Sequence, residues 1–121
     1  MMHEISLMSE MVTLLAASAQ ENNIREITRV KLVVGKMTMA LPDALRLAFE
    51  VFKGEPPLSP QALLEIEERE TLGKCQACGH SFSLVDNYLF VCPACESVRI
   101  DILSGRELYI DHFEGEEEPA S

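Results

Sequence analysis

The sequence predicts an α+β fold, a small sheet of about three strands with two helices, with a four-cysteine knuckle inserted before the last strands. Three observations carry this expectation. Apolar residues recur at helical spacing in two segments, alternate with polar ones in several others, and all the cysteines fall in two C-x-x-C pairs separated by 13 residues.

The first helix is expected from Ser6 to Asn22, where Met8, Met11, Val12, Leu15, Ala16 and Ala19 form an apolar stripe. The methionines on this stripe are core fillers at helical spacing rather than metal ligands. Asn22 and Asn23 tolerate the left-handed conformation that stops a helix. In ITRVKLVVG, Val30, Leu32 and Val34 alternate with Arg29, Lys31 and Val33, a half-buried strand closed by Gly35. Pro42 suits the first turn of a second helix, with Asp43 near the positive end of its dipole. Leu45, Leu47, Ala48, Phe49, Val51 and Phe52 are its candidate buried residues. The prolines of KGEPPLSP then break the chain into a loop of about eight residues.

A second strand is expected over Ala62 to Glu68, with Leu64 and Ile66 alternating with Glu65 and Glu67. After Cys95, Val98, Ile100 and Ile102 alternate with Arg99 and Asp101. Ser104 and Gly105 signal a turn, and Leu108, Ile110 and Phe113 mark a last strand that returns to the sheet. The tail GEEEPAS lacks apolar residues and reads as disordered. The expected organisation is an α/β domain over residues 1–70 plus 104–114, a knuckle over 71–103, and an acidic tail over 115–121.

At 121 residues the chain is one modest core plus a module too small to fold without a staple. Its composition, 47% hydrophobic and 25% charged, is that of a globular protein. No run approaches the roughly 20 apolar residues of a membrane span. With no basic leader visible either, the expected address is the cytoplasm. A formal charge of −10 disfavours nucleic acid and anionic membrane as partners, since both are bound by Lys and Arg neutralising phosphates.

Cys75, Cys78, Cys92 and Cys95 point to one zinc ion. A two-residue gap lets a tight turn bring both sulfurs of a pair to one ion, and the excursion between pairs completes a tetrahedron. Gly79 can take positive φ after the second ligand, and Pro93 stiffens the second pair. Two disulfides are the competing reading, disfavoured for an intracellular chain. A redox C-x-x-C is disfavoured by the facing of two such motifs. With all four positions filled by protein the ion is structural, and its binding, on the order of 10–16 kcal/mol, drives folding of the knuckle. His80 could donate to a thiolate or be a plain surface histidine.

The amino terminus, Met1-Met2-His3, has the spacing for a chelate of amine, two backbone amides and imidazole. Planar nitrogen donors suit Ni²⁺ or Cu²⁺ better than Zn²⁺. The opening MHEISLMSEMV, the segment VVGKMTMALPDALRLAFEVF, the pairs in KCQACGHSF and VCPACES, and the closing SGRELYI together resemble the HypA/HybF family of hydrogenase nickel-incorporation proteins. The resemblance runs over nearly the whole chain. It implies a non-enzymatic nickel metallochaperone, an α/β nickel-binding domain with a zinc domain. Such a protein delivers Ni²⁺ to the [NiFe] hydrogenase large subunit with help from a HypB-type GTPase, as monomer or homodimer, and some members also serve urease.

Carried over by position, the nickel histidine falls on His3, the following glutamate on Glu4, with Met1 and Met2 supplying backbone nitrogen, and the zinc ligands on the four cysteines. The family begins Met-His-Glu, so Met1 is an addition. Either translation starts at Met2 or the chelate gains a ring. Where the family commonly has an acidic residue before the second helix this chain has Leu41, with Asp43 two positions on. The loop KGEPPLSPQA also departs from the family's glycine-threonine connection. A zinc-ribbon module for nucleic acid is the alternative, but it predicts a basic, aromatic-rich knuckle. Lys74 and Arg99 stand against Asp86, Glu96 and Asp101, with Phe82, Tyr88 and Phe90 the aromatics. An enzyme has little support, for the sequence has no nucleophile motif and no phosphate loop.

Overall fold

The computed structural model describes residues 2–84 and 91–119, with the backbone alone for Met2. The chain divides into two compact units, residues 1–32, 40–67 and 109–121 in one and 33–39 and 68–108 in the other.

In the first unit, helix α1 (Met2–Glu21) starts four residues earlier than the expected Ser6. Met8, Met11, Leu15 and Ala19 are its buried apolar residues, so the methionines are core. Asn23 at φ 57 ends it in the left-handed conformation, as the amide side chain allows. Strand β1 (Ile24–Gly35) follows, buried at Ile27 and Val30 and then continuously from Leu32 through Val33 and Val34 to Gly35. The expected exposure of Val33 fails because the far end of this strand is covered on both faces.

Helix α2 (Pro42–Phe52) begins at Pro42 and buries Leu45, Ala48 and Phe49. Leu47 and Val51 are instead exposed, at 54% and 62%. At about 100° per residue they lie more than a quarter turn from the 45/48/49 face, so their apolar character alone does not bury them. The break after α2 is shorter than expected, because β2 (Leu58–Arg69) already includes Ser59 and Pro60. β2 is an outer strand of the sheet, where a proline's missing N–H costs no ladder bond.

The last strand of the chain, β6 (Leu108–Glu117), lies against β1, giving the order β2-β1-β6 in a three-stranded sheet. Residues 115–117, expected in a disordered tail, belong to this strand. The Arg25 guanidinium holds Glu116 at 2.8 Å, the Glu118 amide donates to the Asn23 carbonyl at 2.7 Å, and Gly115 brings no side chain between the paired backbones. Pairing and ion contacts order an acidic segment that composition alone leaves free.

The second unit holds the other sheet, β4-β3-β5, built from β3 (Leu72–Cys75), β4 (Ser81–Ser83) and β5 (Ile100–Ser104). Both pairings are antiparallel, with Gly73 opposite Phe82 and Ile102. β3 and β4 were too short to show a period. The end of β1 meets the bend after β5, where the Gly35 amide donates to the Glu107 carbonyl at 2.6 Å and the Met37 amide to the Gly105 carbonyl at 2.8 Å. Gly105 takes φ 114 against Thr71, a backbone only glycine adopts freely.

Candidate metal centre

β3 delivers Cys75 to the start of a tight turn, in which the Cys75 amide donates to the His80 carbonyl and the Gly79 amide to the Cys75 carbonyl, both at 2.9 Å. The second pair repeats the pattern: the Cys92 amide donates to the Ser97 carbonyl and the Glu96 amide to the Cys92 carbonyl, again at 2.9 Å. The residue after each second cysteine has positive φ, Gly79 at 78 and Glu96 at 65. Gly79 was legible from its residue type. Glu96 was not, since a glutamate gives no sign of a left-handed backbone.

The two turns face each other. All four sulfurs lie within 4.8 Å of one another, with Cys75 Sγ 3.5 Å from Cys95 Sγ and Cys78 Sγ 3.6 Å from Cys92 Sγ. These separations exceed a disulfide bond of about 2 Å, and all four thiols are free. They sit close to the edge of a tetrahedron around one ion, about 3.8 Å for a metal–sulfur bond of 2.3 Å. Cys75 and Cys92 are buried, while Cys78 and Cys95 are exposed.

Electrostatics inside the cluster also fit a cation. The amide of Cys78, aided by that of Ala77, donates to Cys75 and holds its thiol down at about 6 despite its loss of water. The Ser97 amide favours ionised Cys95, but the Cys75 sulfur beside it and the partial loss of water at its own sulfur outweigh that, pushing Cys95 up to about 12. Cys78 is likewise raised, the His80 amide opposing while partial loss of water at its sulfur and the Cys92 sulfur prevail. The four sulfurs cannot all be thiolates beside one another without a positive ion, and a dication removes the conflict. Amide donors already aimed at sulfur, including Ala94 to Cys92 Sγ at 3.4 Å, are the second layer such a site needs.

His80 contributes through its backbone. Its exposed ring stacks on Phe82, with centroids 5.9 Å apart, so it is no fifth ligand. Outside the cysteines Gln76 is tied to Asp101 at 2.6 Å. Asp86, Tyr88 and Phe90 lie outside the described residues.

At the other end of the sequence His3 is exposed in the first turn of α1. Glu4, next to it, is buried, and its Oε1 accepts from the Leu41 amide at 3.4 Å. Glu4's own amide and that of Leu41 hold its carboxyl below the usual value, against burial. Leu41 thus acts through its backbone, and Asp43 is exposed. Met1 and the Met2 side chain lie outside the described residues. Among the described residues, the cysteines form the single cluster with metal-ligand geometry, and His3 belongs to none.

At least five of the ten basic side chains are held by carboxylates. Arg25, Arg29, Lys31, Lys36 and Lys53 pair with Glu116, Glu65, Glu67, Glu70 and Glu50. No phosphate-binding face is assembled from these five.

Comparison with known proteins follows the same lines. Residues 2–115 match the family described as hydrogenase/urease nickel incorporation, metallochaperone, hypA. A hydrogenase maturation factor HypA from Moorella thermoacetica is 43% identical over 115 residues, 95% of this chain and 100% of the relative. The solution structure of the nickel metallochaperone HypA from Helicobacter pylori superposes with TM-score 0.66 at 27% identity, over 95% of this chain and 98% of that one. A second HypA solution structure gives TM-score 0.69 at 28% identity, over 98% and 99%.

Proposed function

The chain belongs to the HypA family of hydrogenase/urease nickel-incorporation metallochaperones, and from that premise we propose that it carries Ni²⁺ on its amino-terminal segment and passes it to a [NiFe] hydrogenase large subunit during maturation. The observation that carries the reading is the family match beginning at the Met2-His3-Glu4 segment, together with the exposure of His3. The cargo ion would sit on the terminal amine, backbone amides up to His3 and the His3 imidazole, with Glu4 beside them.

The first turn of α1 suits this chemistry. Its amides have no intrahelical acceptor, so giving them to a metal breaks no helical hydrogen bond. Two deprotonated amides also cancel the charge of a divalent ion, which removes the repulsion a bare dication meets at a helix N-terminus. Nitrogen donors in a plane select Ni²⁺ over Zn²⁺. An ion held at an exposed chain end can be reached by an acceptor protein, as a carrier requires.

Cys75, Cys78, Cys92 and Cys95 would hold a structural Zn²⁺, which supplies a cross-link between the two turns and no open position for a substrate. The protein acts as a carrier and not a catalyst. Its partners on this reading are a HypB-type GTPase and the hydrogenase large subunit, with urease machinery for some members, in the cytoplasm.

Metal analysis of the purified full chain with nickel titrated in tests this. One tightly held zinc lost in Cys75→Ala, and one labile nickel lost in His3→Ala, is the expected result. Nickel stoichiometry that ignores His3 would refute the amino-terminal site. Intact mass of the same sample decides between Met1 and Met2 as the source of the amine.

A further inference from the structure

A carboxylate lies on the buried stripe of α1. Glu4 precedes Met8, Met11, Leu15 and Ala19 at helical spacing and, at 5% exposure, is as inaccessible as they are. Apolar residues occupy the rest of that stripe, and a carboxylate placed there needs hydrogen-bonding partners to offset lost hydration. One of its partners is on another helix. Leu41, whose amide donates to Glu4 Oε1 at 3.4 Å, is the N-cap residue of α2 and has no side-chain cap of its own. The positive ends of two helix dipoles therefore meet one negative group.

His3 lies on a different face. Neighbouring residues on a helix are about 100° apart and do not face each other, which agrees with an exposed imidazole beside a buried carboxylate. Glu4 Oε1 is engaged by the Leu41 amide, which ties the carboxylate to the start of α2 while the imidazole of His3 faces solvent.

We propose that Glu4 is a positioning residue: it pins the first turn of α1 to the start of α2 and holds His3 outward, and it is not a ligand of the carried ion. The nickel part of this rests on the amino-terminal reading above, whereas the pinning of the two helices does not. Two neighbouring residues thus differ in role, the exposed His3 binding and the buried Glu4 presenting it.

The test uses the full chain as wild type, Glu4→Ala, Glu4→Gln and His3→Ala, with two readouts. In the metal-free protein, hydrogen exchange of the Leu41 amide should quicken by about tenfold in Glu4→Ala, the loss of one hydrogen bond to a charged acceptor, and recover most of its protection in Glu4→Gln, which keeps an acceptor oxygen. In a nickel titration, Glu4→Ala should weaken binding by about fivefold or more, because the first turn must now be ordered by the ion. The d–d absorption bands of its nickel complex should keep their wild-type positions. Bands that shift in Glu4→Ala reveal a lost ligand and overturn the proposal, as does Leu41 exchange equal to wild type. If His3→Ala binds nickel unchanged, the amino-terminal reading fails by itself, since the Leu41 readout needs no metal.

Discussion

Removing the metal from the four-cysteine cluster should unfold the knuckle and spare the first unit. Among the described residues between 68 and 108, the buried side chains are Thr71, Cys75, Leu84 and Cys92, and the end of β1 adds Val33 and Val34, so the second unit buries three sizeable aliphatic groups. Burying three such side chains contributes about 5–9 kcal/mol, and two of the three belong to β1. A structural zinc on thiolates contributes about 10–16 kcal/mol, as much as the whole stability of an ordinary domain. The first unit has its own core in Met8, Leu15, Ile27, Val30, Leu32, Leu45 and Phe49 and does not depend on that ion. Hydrogen exchange before and after treatment with excess chelator separates the two. The amides of Cys75, Gln76, Leu84 and Cys92, each donating to a carbonyl of the same unit, should lose protection. Those of Ile27 and Leu45, bonded to the Pro57 and Leu41 carbonyls, should keep it. Protected Cys75 and Gln76 amides in metal-free protein would refute the reasoning.

Gly35→Ala should destabilise the protein by about 3–5 kcal/mol in urea or heat, from overpacking plus two weakened hydrogen bonds. The added Cβ would stand 2.1 Å from the Gly105 carbonyl oxygen, so the backbones joined at Gly35–Glu107 and Met37–Gly105 must separate; a loss under about 1 kcal/mol contradicts this. Glu107 is held below its ordinary value of 4.5, first by its own amide and then by the Gly105 amide, which donates to Oε1 at 2.6 Å. Because the folded value is the lower one, the stability it contributes is present above 4.5 and lost as pH falls through the folded value. The gap in urea midpoint between wild type and Glu107→Gln should therefore narrow from about pH 7 to about pH 3, and an unchanged gap would count against it.

The long elements were legible because their signals are periodic over many residues. Met8, Met11, Leu15 and Ala19 marked α1, and Val30, Leu32 and Val34 marked β1. Pro42 marked the start of α2 for a local reason, the fixed φ of its ring. The cysteine cluster was legible for a chemical one, since four thiols at those spacings have few other uses. Pairing was not legible. β3 and β4 span four and three residues, too short for a period, and exist because Gly73 sits between Phe82 and Ile102. Residues 115–117 look like solvent tail until Arg25 and the Asn23 carbonyl engage their neighbours across the sequence. Leu47 and Val51 were assigned to the core by hydrophobicity, where angle decides.

The two ends of the proposed function differ in what the fold has prepared. At the cysteines the amides of Cys78, Ala77, Ala94 and Ser97 already point at sulfur, so an ion arriving there finds its ligands and their supports in place and should leave slowly. At His3 what is fixed is the helix behind the imidazole, through Glu4 and Leu41, while the imidazole itself faces solvent. The ordering cost left for the nickel ligands lowers affinity, and a carrier needs an ion it can release. On this reading Glu4 sets that balance. A looser first turn would lose the ion before delivery, whereas a carboxylate turned outward as a further ligand would hold it against transfer.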